Sequence, residues 1–76
     1  MNIFDSTKVY RYAPRLHPDQ IKTAFITNTV DTNAGLYLEL TVAYSYGEGE
    51  PFNATDVKEY YYASDLIISI YEEDNK

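Results

Sequence analysis

Apolar and polar residues alternate most clearly over Leu36–Tyr46. Leucines stand at positions 36, 38 and 40, Val42 continues the series, and Tyr44 and Tyr46 end it. Side chains on a strand point alternately to opposite faces, so this period predicts a β-strand with one apolar face. On a helix the same leucines would spread around the cylinder. We therefore expect Leu36–Tyr46 to be the central antiparallel strand, with its apolar face on the core.

A second strand is predicted over Ile21–Val30, which is rich in β-branched residues and phenylalanine. A helix beginning after Pro18 is the alternative for its first residues. Asp31–Gly35 has the composition of a turn, because Asn and Asp tolerate left-handed dihedrals and glycine adopts them freely. The two strands should form a hairpin.

Residues 53–64 carry signals for both helix and strand. Thr55 or Asn53 can cap a helix, and Asp56 and Glu59 would place negative charge in its first turn. Helical spacing puts Val57, Tyr60, Tyr61 and Ser64 on one side. Three consecutive tyrosines favour a strand instead. The interpretation adopted is a helix over 53–64, followed by a final strand over Leu66–Glu72.

These elements predict an α+β fold, a small antiparallel sheet of three or four strands with one helix packed on it. Residues 1–76 should form a single domain, with a core over 21–72 and residues 1–20 as a loose extension. Within that extension, Lys8–Tyr12 is either a short strand or an added edge, ended by Pro14. A chain this small without cysteine has no disulfide to stabilise it, so a homodimer is expected.

The net charge of −6 is unevenly distributed. Residues 1–35 carry four basic and three acidic side chains, whereas residues 36–76 carry two basic and nine acidic ones. An acidic surface repels nucleic acid and attracts basic proteins, including proteins that bind DNA. The alternative is that the charge serves solubility alone. Nine tyrosines favour binding, because tyrosine is enriched at protein interfaces.

Residue types that support catalysis or cofactor binding are scarce. The chain has one histidine, His17, no cysteine, no phosphate-binding loop and no serine in a glycine-rich elbow. We expect no enzymatic activity, no cofactor and no metal site. No apolar run approaches the ~20 residues of a membrane span, and the N-terminus does not resemble a signal peptide. We expect a bacterial cytoplasmic protein with no membrane contact.

Tyrosines and carboxylates cluster around the end of the central strand, the following loop and the predicted helix. Carboxylates can replace DNA phosphates opposite basic groups, and tyrosines can supply desolvated anchors. The alternative is that the strand tyrosines are core residues and the acids a solvated rim. The predicted partner-binding residues are Tyr46, Glu48, Glu50, Asp56, Val57, Glu59, Tyr60, Tyr61 and Tyr62.

Residues 25–71 resemble the short, dimeric, phage-encoded inhibitors of uracil-DNA glycosylase. The resemblance rests on Tyr44-Ser45-Tyr46, on Thr55-Asp56 opening a helix that contains Glu59 and Tyr62, and on Ile67-Ile68 in the last strand. It implies that the protein occupies the DNA-binding groove of the glycosylase. Helices of two protomers would form an apolar pocket for the side chain that the enzyme inserts into DNA.

By position, the resemblance makes Asp56 and Glu59 substitutes for phosphate, and Tyr60 and Tyr62 walls of the pocket. Val57 stands where the family has an aromatic residue, so Tyr60 or Tyr61 would have to replace it. The resulting hypothesis is inhibition of a DNA-binding enzyme by DNA mimicry, with uracil-DNA glycosylase as the first target. A nuclease, CRISPR effector or polymerase subunit is another possible target. The alternative is a phage accessory module whose tyrosines form an oligomer interface.

Overall fold

The computed structural model describes residues 4–47 and 49–71, which form one antiparallel sheet of five strands. A single turn of 3₁₀-helix, Ala63–Asp65, joins the last two strands. The order across the sheet is β4-β3-β2-β1-β5, so four strands follow one another and the fifth returns to pair with the first. The strands are β1 (Val9–Pro14), β2 (Lys22–Thr32), β3 (Gly35–Tyr44), β4 (Asn53–Tyr62) and β5 (Leu66–Ile70).

The predicted hairpin is confirmed, and β2 and β3 are joined through Asn33 and Ala34. The Thr32 hydroxyl donates to the Gly35 carbonyl at 2.6 Å and accepts from the Ala34 amide at 3.1 Å, which holds the turn closed. Gly35 has a φ of 122°, a backbone conformation that residues other than glycine rarely adopt. The predicted final strand is also confirmed, as β5.

The predicted helix over residues 53–64 is wrong, and so is the α+β fold class, because β4 occupies most of this segment. Thr55 does not cap a helix. Its hydroxyl donates to the Val42 carbonyl of β3 at 2.8 Å and accepts from the Val57 amide at 3.1 Å. Helix caps and charged first turns contribute only about 1 kcal/mol each. A strand at this position pairs the otherwise open edge of β3 and fits the β-branched and tyrosine-rich composition.

Residues 9–14, which fall in the predicted loose extension, form β1 in the interior of the sheet. This strand pairs with β2 on one side and with β5 on the other. It also supplies Tyr10 and Tyr12 to the core. Pro14 is its last residue, opposite Leu66, where a missing amide costs least. Part of the predicted extension, the strand β1, therefore contributes to the hydrophobic core.

The sheet curls around its core. Every strand except β4 contributes buried residues to the core, and β4 contributes the half-buried Tyr61. In a flat sheet, β1 and β4 would lie about 14 Å apart, because neighbouring strands are spaced by about 4.8 Å. The Tyr12 hydroxyl nevertheless reaches Glu59 of β4 at 2.9 Å. Near the ends of the edge strands, the rings of Phe52 and Tyr71 are 5.0 Å apart. The buried core residues are Tyr10, Tyr12, Ala24, Ile26, Leu38, Leu40 and Leu66.

Candidate protein-binding site

The face of β2, β3 and β4 that points away from the core carries two cross-strand rows of side chains. One row is Asn28, Glu39 and Tyr60, and the next is Val30, Tyr37 and Tyr62. We call these six residues the tyrosine face. Opposite residues in antiparallel strands project to the same side, so the register brings all six together.

The aromatic rings of the tyrosine face contact one another, with Tyr60 exposed and Tyr37 and Tyr62 half-buried. The Tyr37 ring lies 4.9 Å from that of Tyr62 in an edge-to-face arrangement. It also lies 6.3 Å from the Tyr60 ring, with only 14° between the two planes. Tyr60 is 51% exposed and Val30 is 49% exposed. Pre-packed aromatic rings lose little entropy on binding, which suits them to a protein interface.

Glu39 is the acidic group of this face, and its hydrogen bonds come from neutral donors. The Tyr60 hydroxyl donates to Oε2 at 3.3 Å, and the Thr27 hydroxyl donates to Oε1 at 3.0 Å. Desolvation and the nearby Glu39 carboxylate raise the pKa of Tyr60. Its hydroxyl is protonated at neutral pH, as in any tyrosine with an ordinary or raised pKa, and can donate to Glu39. Among the described residues, no cation lies within ion-pair distance of Glu39.

A shallow cavity of about 130 Å³ opens on the tyrosine face. It is lined by Asn28, Val30, Tyr37, Glu39 and Tyr60. Its walls combine aromatic surface with one carboxylate, which is the chemistry of a site for a basic or amphipathic side chain.

Of the nine predicted binding residues, the structure brings Tyr60 and Tyr62 together on the tyrosine face. Glu59 and Tyr61 alternate with them and point to the core side. Tyr46 lies beyond the end of β3, 80% exposed, with its hydroxyl 3.0 Å from that of Tyr44. Asp56 and Val57 are exposed in the irregular part of β4, and Glu50 is in the preceding loop. Glu48 lies outside the described residues.

Sequence reasoning did not select Asn28, Val30, Tyr37 or Glu39. A signal for two of them was present, because Tyr37 and Glu39 occupy the mixed face of the predicted central strand. Their neighbours on β2 could not be placed, because a bulge between Ile26 and Asn28 moves Asn28 and Val30 to the outer face. Strict alternation along the predicted strand would put Ala24, Ile26, Asn28 and Val30 on one side.

Glu59, predicted as a phosphate substitute, is held by side chains of its own chain. It accepts from the Tyr12 hydroxyl at 2.9 Å and forms an ion pair with Lys22 at 2.8 Å. Partial burial alone would raise the pKa of Glu59, but the hydrogen bonds from Lys22 and Tyr12 outweigh it and lower that pKa. The hydrogen bond to Glu59 correspondingly raises the pKa of Lys22, and burial, more than Glu59 itself, raises the pKa of Tyr12. This triad stabilises the fold.

Acid should destabilise the protein through Glu59. Its pKa is lower in the folded than in the unfolded chain, so its contribution is complete above the unfolded value of about 4.3. That contribution is lost as the pH falls through the folded pKa. We expect the urea midpoint to fall between pH 5 and pH 3 and to fall less in Glu59→Gln, which does not titrate. Equal slopes for both proteins over this range would contradict the assignment.

Two further observations bear on the kind of site. Among residues 4–47 and 49–71, no group of three or more His, Asp or Glu side chains is arranged to hold a metal ion. In the same part of the chain, no helix has the length and apolar character needed to cross a membrane.

Comparison of this chain with protein-family models, with curated proteins and with solved structures finds no match. The tyrosine face and the charge of the chain are therefore the features that bear on function.

Proposed function

We propose that this protein is a non-enzymatic binding module and that the tyrosine face is its partner-binding surface. The observation that carries the proposal is the group of three tyrosines in mutual contact on the outside of the sheet, with the exposed Val30 opposite Tyr37. Large aromatic side chains that are exposed and mutually ordered are typical of binding hot spots.

The partner we propose is a basic, DNA-binding protein of the bacterial cytoplasm, inhibited because this acidic chain covers its DNA-binding surface. The net charge of −6 and the carboxylate within the tyrosine face support a basic partner. Uracil-DNA glycosylase remains the first target to test. The pocket between two helices that the resemblance implied has no counterpart here, since residues 53–62 form β4. The proposal of a basic, DNA-binding partner is therefore supported by the net negative charge and by the exposed tyrosines.

A uracil-excision assay tests the glycosylase target directly. The purified protein is added in stoichiometric excess at low and high salt. Inhibition that weakens as salt rises is expected for a complex formed partly by charge. Unchanged excision at low salt excludes this enzyme. The same assay design, with a nuclease or a DNA polymerase, then tests the wider class.

Tyr60→Ser should weaken binding of the identified partner about thirtyfold, since truncating a hot-spot aromatic typically costs about 2 kcal/mol or more. Isothermal titration calorimetry measures the change. Ile67→Ser on β5 is the control, because Ile67 is 49% exposed and lies outside the tyrosine face. Tyr46→Ser separates this surface from the site predicted by sequence. A larger loss with Tyr46→Ser than with Tyr60→Ser would contradict the tyrosine face.

A second candidate function is self-association of the chain through the same face, as in an accessory module that forms a homodimer. The exposed tyrosines favour this candidate too. A symmetric contact centred on this face would bring Glu39 towards Glu39 of a second copy, and like charges in close contact oppose such pairing. Sizing by light scattering at two salt concentrations decides. A dimer that strengthens with salt and is lost in Tyr60→Ser would favour self-association.

A further inference from the structure

We propose that Tyr37, Glu39 and Tyr60 form a receptor for one arginine side chain of the partner. The inference rests on the proposed function and names the chemical group that the tyrosine face binds. It assigns the cavity on the face to a guanidinium group.

The cavity has the right dimensions for the head of a single side chain. Its volume of about 130 Å³ is well above the ~10–15 Å³ that a single water molecule needs, so it can take a larger group. It opens directly to solvent on the outer face of the sheet, so a side chain from another protein can enter without any rearrangement of β2, β3 or β4.

The aromatic walls suit a cation. The rings of Tyr37 and Tyr60 lie 6.3 Å apart and nearly parallel. A cation within about 6 Å of a ring centroid is attracted by the negative face of the ring, and a planar guanidinium also stacks on it. Tyr62 also contacts Tyr37, in an edge-to-face arrangement with the ring centroids 4.9 Å apart, and this contact restricts the Tyr37 ring.

Glu39 supplies the charge, and its carboxylate can accept further hydrogen bonds. Two oxygens offer about four acceptor positions. The structure gives them one hydrogen bond each from side chains, from the Thr27 and Tyr60 hydroxyls. The nearest lysine in the register, Lys58, donates instead to the Thr41 hydroxyl at 3.0 Å. A carboxylate that lies beside aromatic rings and is bonded only by neutral donors is an attractive site for a charged donor.

Arginine fits this arrangement better than lysine. Its guanidinium is flat, so one surface stacks on a tyrosine ring while the N–H groups at its edge reach the carboxylate. A lysine ammonium is compact and strongly hydrated, and it gains less from a partly solvated site.

The test uses the full chain and three blocked tripeptides that carry arginine, lysine or citrulline at the centre. Citrulline has the shape of arginine without its charge. Two-dimensional amide NMR titrations measure affinity and locate the site. We expect the arginine peptide to bind about tenfold more tightly than the citrulline peptide. The shifts should centre on residues 28–30, 37–39 and 60–62.

Variants complete the test. Glu39→Gln should abolish the difference between arginine and citrulline peptides, whereas Asp65→Asn, which removes the same charge from the 3₁₀-turn, should preserve it. Cooperative unfolding of Glu39→Gln confirms that the variant is folded. Equal affinity for arginine and citrulline, equal affinity for arginine and lysine, or shifts confined to other residues would each overturn the assignment.

The results also separate this inference from the proposed function. If the arginine peptide binds no more tightly than the citrulline peptide while partner binding still depends on Tyr60, only the arginine receptor is excluded. If the peptide binds as expected while Tyr60→Ser leaves partner binding unchanged, the arginine receptor stands and the proposed partner surface is excluded.

Discussion

Leu40→Ala is expected to destabilise the protein by about 3 kcal/mol, the middle of the range for a leucine truncated in a close-packed core. Leu40 is fully buried in β3, between Ile26 of β2 and Glu59 of β4. The surrounding strands are fixed by hydrogen bonds, so the cavity can collapse only in part. In a domain of this size, the loss corresponds to a fall in Tm of about 12 °C or more.

Urea and thermal unfolding measure this loss, with Val57→Ala as the control. Val57 is 54% exposed in β4, so its truncation should change stability by less than about 0.5 kcal/mol. A change below about 1 kcal/mol for Leu40→Ala would mean that β3 does not form the centre of the core.

Glu59→Ala is expected to cost about 2 kcal/mol, because it leaves the Tyr12 hydroxyl without its acceptor inside the curled sheet. Tyr12 is 1% exposed, and an unsatisfied buried polar group costs about 1–3 kcal/mol. The exposed ion pair with Lys22 should contribute less, since surface pairs are usually worth below about 1 kcal/mol. Lys22→Ala is therefore the milder variant.

A double-mutant cycle with Tyr12→Phe isolates the hydrogen bond. Removing the hydroxyl and the carboxylate together should cost less than the sum of the two single changes, because no buried group is then left unpaired. The free energy of unfolding of the four proteins, obtained from urea titrations, gives the coupling. Additive losses would show that Tyr12 and Glu59 do not depend on each other in solution.

The parts of the fold that followed from the sequence are those with a local pattern. Alternating leucines predicted β3, and turn residues ending in Gly35 predicted its hairpin with β2. The strand β4 could not be decided in this way. Thr55 and Asp56 are residue types found both at the start of a helix and in an irregular part of a strand, so they do not distinguish the two. The deciding factor is the open edge of β3, which is close to β4 only in the folded chain.

The candidate site shows the same division. Tyr60 and Tyr62 were selected because tyrosine is a common interface residue. Glu59 and Tyr61 were selected with them, and only the alternation of a strand assigns those two to the core side. Tyr37 and Glu39 join the site through the pairing of β3 with β4, which the predicted helix excluded. The bulge in β2 then adds Asn28 and Val30, and no local signal marks its position.

The return of β5 to β1 places the two ends of the described sheet side by side, with the Tyr71 amide donating to the Val9 carbonyl at 2.9 Å. A short linker could therefore connect them, and the chain could be reopened between Asn33 and Ala34. Such a circular permutant would keep every strand pair of the sheet. It would lose only the covalent connection between β2 and β3. New termini at that turn would give a handle for attaching probes at the tip of the β2–β3 hairpin.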